Sequence, residues 1–137
     1  MLENDEKSYN IEDCLQISDR TGIPVVFDTH HHECYIKTHP NESLKPGGEY
    51  VKQILSTWGI IKPKFHVSEQ GPGKCGHHSD YIESIPDYLL EIPDKYDTCI
   101  DIMIEAKAKE RAIMKLYEKY DILNPFLVEN DCKSEKI

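Results

Sequence analysis

Ile23-Pro24-Val25-Val26-Phe27-Asp28-Thr29-His30-His31-His32 is the stretch whose reading decides the fold. Ile23 to Phe27 is short, continuous and rich in β-branched residues, the pattern of a strand covered on both faces of a parallel sheet. Where the apolar run stops, an aspartate and three histidines begin. The same arrangement recurs outward along the chain: Glu3 follows Met1 and Leu2, Lys64 and His66 follow Ile60 and Ile61, and Glu105 follows Ile100 to Ile104. These packets of metal-binding residue types stand roughly 25–40 residues apart, about one strand-plus-helix unit. A zinc finger keeps its ligands close in sequence. In a barrel-type α/β fold the ends of several strands converge on one active site, so distant packets can share metal ions. The spacing predicts four parallel βα units with catalysis at their C-terminal ends.

The segments between the packets fit that rhythm. Asn10 before Ile11, Glu12 and Asp13 reads as an N-cap with an acidic first turn, and Gly22 stops the helix. Glu33 to Gly48 is polar, with Pro40, Pro46, Gly47 and Gly48, and reads as a long functional loop. A helix is predicted from Glu49 to Trp58, burying Val51, Ile54, Leu55 and Trp58. Ile60 to Val67 is the next strand, with Pro63 fitting a strand start or edge. Ser68 to Asp80 carries Gly71, Pro72, Gly73 and Gly76 and forms a second loop, which delivers His77 and His78. A short helical piece at Pro86 to Ile92, a strand at Thr98 to Ile104 and a helix at Ala106 to Tyr120 complete residues 1–120 as one unit. Residues 121–137 read as a tail, disordered from Glu129 on.

At 137 residues the chain suits one domain with a modest core, yet it is about half of the roughly 250 residues of a closed eight-stranded barrel. Its formal net charge of −9 argues against tight DNA binding by this chain alone, because phosphate affinity rests on Lys and Arg. Cys14, Cys34, Cys75, Cys99 and Cys132 form no C-x-x-C pair, and no signal peptide or membrane-length apolar run is present. That combination predicts a reducing intracellular setting, not secretion, and no membrane partner. Cys99 sits in an apolar run and is expected in the core. Cys34 and Cys75, near the histidine packets, read as free thiols rather than soft ligands.

Glu3, Asp28 and Glu105 offer hard oxygen donors beside imidazole nitrogens, a mixture suited to Mn, Zn or Mg in a multinuclear hydrolytic centre. Three consecutive histidines cannot all address one ion from a strand end, and spacing alone does not choose among His30, His31 and His32. Strand alternation puts Lys64 and His66 on one side of their strand. An ammonium would repel cations there. Lys64 is therefore a solvated surface residue, a charge partner for phosphate, or a lysine chemically converted into an anion.

Glu3-Asn4-Asp5 with Ser8-Tyr9, Asp28-Thr29-His30-His31-His32, Pro63-Lys64-Phe65-His66, His78-Ser79-Asp80-Tyr81-Ile82 and Ile104-Glu105-Ala106-Lys107-Ala108-Lys109-Glu110 together resemble, in order, the C-terminal half of the UV-damage endonucleases. The resemblance runs from Glu3 to about Leu116. It implies half of a (β/α)₈ TIM barrel of the apurinic-site endonuclease and xylose isomerase type. It also implies metal-dependent cutting, with manganese foremost, 5′ to UV lesions in double-stranded DNA. By motif, Glu3, Asp28, His31, His66 and Glu105 match metal ligands, Glu3 the bridging one. Lys64 matches a lysine that can be carboxylated, and His78 a further active-site histidine touching phosphate or metal. The family's barrel begins four strands earlier, with further histidine ligands and the residues that probe damaged bases. The resemblance therefore implies a missing N-terminal half-barrel partner or self-association, and a place in the cytoplasm, nucleus or a viral factory. Two other readings compete: a non-catalytic truncated or interaction module that keeps the ligands, and a sugar isomerase on the same barrel. The Lys64-x-His66 pair and the Glu105 to Glu110 run favour the endonuclease over the isomerase.

Overall fold

The computed structural model describes residues 1–127, so the expectation for the chain from Glu129 on lies outside the described residues. The fold is α/β, a four-stranded parallel sheet in the order β1-β2-β3-β4, and constitutes a partial TIM barrel. The strands are β1 (Leu2–Glu3), β2 (Val25–Asp28), β3 (Lys64–Val67) and β4 (Asp101–Ile104). The helices are α1 (Ile11–Thr21), α2 (Thr29–Thr38), α3 (Val51–Ser56), α4 (Asp87–Leu90), α5 (Ile92–Tyr96) and α6 (Glu110–Lys119). Register pairs Leu2 with Val25, Asp28 with His66, and His66 with Met103, which sets the strand ends side by side.

β2 is buried at every residue, as a central strand covered on both faces must be. β4 behaves differently. Ile102 and Ile104 pack on the core, while Asp101 and Met103 face out, the alternation of an edge strand wet on one side. Phe27, Phe65, Val25, Val67 and Ile11 are almost wholly enclosed, with Ile54, Leu89 and Leu116 packed around them.

α1 forms where the sequence signals it. The Asn10 side chain accepts from the Asp13 N–H at 3.0 Å, and the Asp13 carboxylate accepts from the Asn10 N–H at 3.0 Å. This reciprocal cap is worth about 1 kcal/mol, and Gly22 closes the helix at φ 74°.

The largest correction concerns Glu33 to Gly48. No long loop starts there, because α2 continues from β2 through the histidines to Thr38, leaving a loop only from His39 to Pro46. The helix lacks an apolar period because histidines take core positions. His32 is enclosed between the rings of Phe27 and Tyr50, and its Nε2 bonds the Lys45 carbonyl at 2.8 Å.

Smaller corrections follow the same logic of packing. The helix expected from Glu49 is a 3-10 turn at Gly47–Tyr50 running into a shorter α3. Gly47 and Gly48 admit the Tyr88 ring so closely that a Cβ on Gly47 would lie 2.8 Å from its hydroxyl. Ile60 and Ile61 are not strand residues but an exposed turn after Gly59, and Pro63 precedes β3. β4 starts at Asp101 rather than Thr98, and Cys99 is half-buried ahead of it rather than in the core. α6 begins at Glu110, after a turn through Ala106 to Lys109, where Lys109 takes φ 52°. Beyond Tyr120, a 3-10 turn at Asp121–Leu123 brings Leu123 against the core.

Candidate metal centre

Because the sheet is parallel, the C-terminal ends of its strands open on one side, and the fold brings the packets together there. Glu3 ends β1, Asp28 ends β2, His66 lies near the end of β3, and Glu105 follows β4 with its N–H on the Val67 carbonyl at 2.9 Å. His31 comes from the first turn of α2. His66 Nδ1 lies 3.1 Å from Glu3 Oε1 and 3.3 Å from Glu105 Oε1. His31 Nδ1 lies 3.7 Å from Glu3 Oε1 and 3.5 Å from Asp28 Oδ2. His78 reaches in from the Ser68–Asp80 loop, its Nε2 3.6 Å from Glu105 Oε2.

Among the described residues, two sets of potential donor atoms each fit within 4.8 Å: Glu3, Asp28 and His31, and Asp28, His66 and Glu105. Asp28 belongs to both. Its side chain is fully buried; Oδ1 caps α2 by accepting the His31 N–H at 2.8 Å, and Oδ2 has no hydrogen-bond partner. An orphaned carboxylate oxygen in the interior costs free energy unless a cation or proton meets it. Burial accordingly pushes the Asp28 carboxyl up to about 6, with Glu105 and Glu3 adding to the rise and the His31 N–H and charge opposing it. Burial disfavours charge on His31 as well, but Asp28, the Asn4 carbonyl, Glu6 and Glu3 outweigh it and raise its pKa. Protonated, His31 would bring to these carboxylates a counter-charge of the kind a divalent ion supplies. The crowded carboxylates and the orphaned Asp28 oxygen suit one or two divalent cations.

The neighbouring candidates take other positions. His30 packs in α2 with its Nε2 3.6 Å from Cys34 Sγ, and His32 is tied to Lys45, so neither joins the donor sets. His77 bonds the Pro72 carbonyl at 3.2 Å. Lys64 shares its strand face with His66, both half-buried, but sits two residues deeper toward the start of β3.

Asn4 takes a role that sequence pattern alone does not give it. It is wholly buried: its Nδ2 donates to the Asp28 carbonyl at 3.0 Å, and its Oδ1 accepts the Asp28 N–H at 2.8 Å. Its own carbonyl meets His31 Nδ1 at 2.9 Å. This stitch fixes β1 to β2 at the donors and leaves His31 Nε2 facing Glu6, at 3.8 Å. Asp5 next to it is partly desolvated, yet N–H groups of Ser8, Lys7 and Tyr9 hold its carboxylate below the ordinary pKa and shape the turn that presents Glu3 and Glu6. An Asn-Asp pair after a strand is a turn signal; that Asn4 turns inward depends on pairing with β2, which no local pattern contains.

The family model of the UV-endonuclease UvdE matches residues 1–134, and the chain belongs to that family. A protein of Acanthamoeba polyphaga mimivirus is 35% identical over 98% of this chain, which spans 42% of that protein. The UV DNA damage endonuclease of Bacillus velezensis is 36% identical, over 86% of this chain and 37% of its own length. The crystal structure of SacUVDE superposes with a TM-score of 0.63 at 32% identity, covering 85% of this chain and 38% of that one. The chain thus spans about two fifths of the length of the relatives it matches. No helix among the described residues is long and apolar enough to cross a membrane.

Proposed function

We propose that this chain supplies the C-terminal half-barrel of a metal-dependent endonuclease that hydrolyses the phosphodiester 5′ to UV lesions in double-stranded DNA. Residues 1–120 supply the barrel segment. A second half-barrel, from a separate N-terminal segment or another chain, supplies the remaining donors and the surface that meets damaged bases. The setting is intracellular. The observation that carries the reading is Asp28, common to both donor sets and buried with an Oδ2 that has no hydrogen-bond partner, in a chain of the UvdE family.

In this proposal Glu3, Asp28, His31, His66 and Glu105 hold divalent metal, with manganese first and zinc or magnesium as substitutes. When bound, the metal supplies an activated water and charge neutralisation at the phosphate. Asn4 and the α2 N-terminus orient Asp28 and His31. His78, at the edge of the cluster on its glycine-rich loop, contacts the scissile phosphate. Lys64, half-buried on the donor face of β3, carries a carboxylated anionic form rather than an ammonium.

The test is strand cleavage of a duplex oligonucleotide carrying one UV photoproduct, with manganese. The 137-residue chain alone is expected to nick weakly or not at all, because absent donors and supporting groups cost 10- to 100-fold in metal affinity. Adding the N-terminal half of a relative should restore cleavage 5′ to the lesion. Failure of every such combination to cleave, with the barrel shown to assemble, would leave the non-catalytic module. The span of two fifths of the relatives' length and the net charge of −9 favour that second reading.

A further inference from the structure

Outside the donor cluster, α2 and the Ser68–Asp80 loop bring two cysteines together that the sequence keeps far apart. The Cys34 thiol is buried against His30, with Sγ 3.6 Å from Nε2, and Gln70 Oε1 stands 3.8 Å from the same sulfur. That Gln70 oxygen also accepts the Gly76 N–H at 2.9 Å, so the backbone beside Cys75 is pinned over Cys34. Beside burial, the neighbouring Cys75 side chain raises the Cys34 thiol's pKa, and Cys75 is itself exposed to solvent. Gly73 and Gly76, at φ 108° and 102°, flank Cys75 with backbone that L side chains rarely adopt and so shape the loop that carries it.

We propose that Cys34 and Cys75 are a redox modification site, a dithiol that closes to an intramolecular disulfide when the protein meets a small-molecule disulfide oxidant of the glutathione class. The exposed Cys75, as thiolate, attacks one sulfur of the oxidant, breaking its S–S bond and releasing one small thiolate. Cys34 then gives up its proton to water and attacks the Cys75 sulfur, expelling the second small thiolate. Two protein thiols are oxidised and one small disulfide is reduced to two thiols. Burial, with Cys75 contributing next, pushes the Cys34 thiol up to about 12, which makes Cys75 the entry point for oxidant.

The bond would tie the loop that carries His78 to the helix that carries His31, so oxidation state would set how rigidly one side of the donor cluster is held. The disulfide itself does not depend on the endonuclease reading and is detected without any activity assay. The full chain is equilibrated across a series of reduced and oxidised glutathione ratios, alkylated, and digested with trypsin. Cleavage at Arg20, Lys37, Lys74 and Lys95 places Cys34 and Cys75 in separate peptides, each with a single cysteine. Oxidation should join those peptides with loss of two hydrogens and slow native-state trypsin cleavage after Lys74 several-fold. Cys75→Ser, at an exposed position, should retain the wild-type circular dichroism yet lose both effects. Three results would overturn the site: Cys75 carrying only a mixed disulfide while Cys34 stays alkylatable after unfolding, a bond from either residue to a different cysteine, or equal Lys74 cleavage in oxidised wild type and Cys75→Ser.

Discussion

Replacing Asp28 with Asn separates the cost of the buried carboxylate from its use. In the metal-free protein its carboxyl titrates at about 6 against an ordinary value of 3.8. At about 1.36 kcal/mol per pH unit, that rise amounts to about 3 kcal/mol of destabilisation once the group is ionised. The sign follows from the raised value: the unfolded chain gives up this proton first, so stability falls as pH rises from about 4 to 6 and the penalty is complete above that window. Asn keeps an oxygen for the His31 N–H and removes the charge. The neutral side chain forfeits its attraction to the His31 ring, so the net gain in chelator at pH 7.5 is about 1–3 kcal/mol, or roughly 5–10 °C in Tm for a domain of this size. The difference between variant and wild type should shrink toward zero near pH 4. With manganese present the order should reverse, because the cation favours the carboxylate, and the metal-dependent rise in Tm should be larger for wild type. Scanning calorimetry in chelator and in manganese across this pH range checks both halves. Loss of stability in Asp28→Asn in chelator at pH 7.5, together with an unchanged metal-dependent rise, would refute the argument.

Two further substitutions probe the supports of the site. Gly71→Ala places a Cβ 2.2 Å from the His78 carbonyl oxygen, a backbone atom with no room to yield, so the loop must shift. We expect faster proteolysis within residues 68–80 and reduced lesion cleavage in the assembled barrel, with global stability lowered by about 1–3 kcal/mol at most. Lys64→Arg keeps a positive charge but cannot be carboxylated. In the assembled enzyme it should change metal content or cleavage sharply, and native mass spectrometry should show the carbamate mass on wild type alone; unchanged cleavage with an unmodified lysine would return Lys64 to the surface reading.

Local chemistry made part of this fold legible. Asn10 and Gly22 announce both ends of α1 because a cap and a left-handed residue are properties of a few adjacent residues. Val25 to Phe27 announces β2 because a strand covered on both faces needs an unbroken apolar run. The convergence of Glu3, Asp28, His66 and Glu105 follows from parallel strands ending on one side, and the packets carried that much; His31 was singled out by the family resemblance, since spacing does not choose among the three histidines. What stayed hidden depends on tertiary partners. α2 leaves no mark in the hydrophobic pattern because His30 and His32 fill core positions through contacts with Cys34, Phe27, Tyr50 and Lys45, and a hydrophobic period cannot register a satisfied imidazole. Ile60 and Ile61 look like strand yet stand in solvent. Asn4 bonding Asp28 and Gln70 linking Cys34 to Gly76 each join segments distant in sequence, so no spacing rule could have paired them.

The central claim, that the strand ends hold a shared metal centre, is tested most directly by anomalous X-ray diffraction from crystals soaked in manganese, or from the assembled barrel where the isolated chain binds too weakly. The account predicts anomalous density within coordination distance of Asp28 Oδ2, flanked by Glu3 and His31 on one side or His66 and Glu105 on the other, and its loss in Asp28→Asn. Manganese density confined to the outer surface at saturating concentration, with Asp28 Oδ2 still unpartnered, would contradict it.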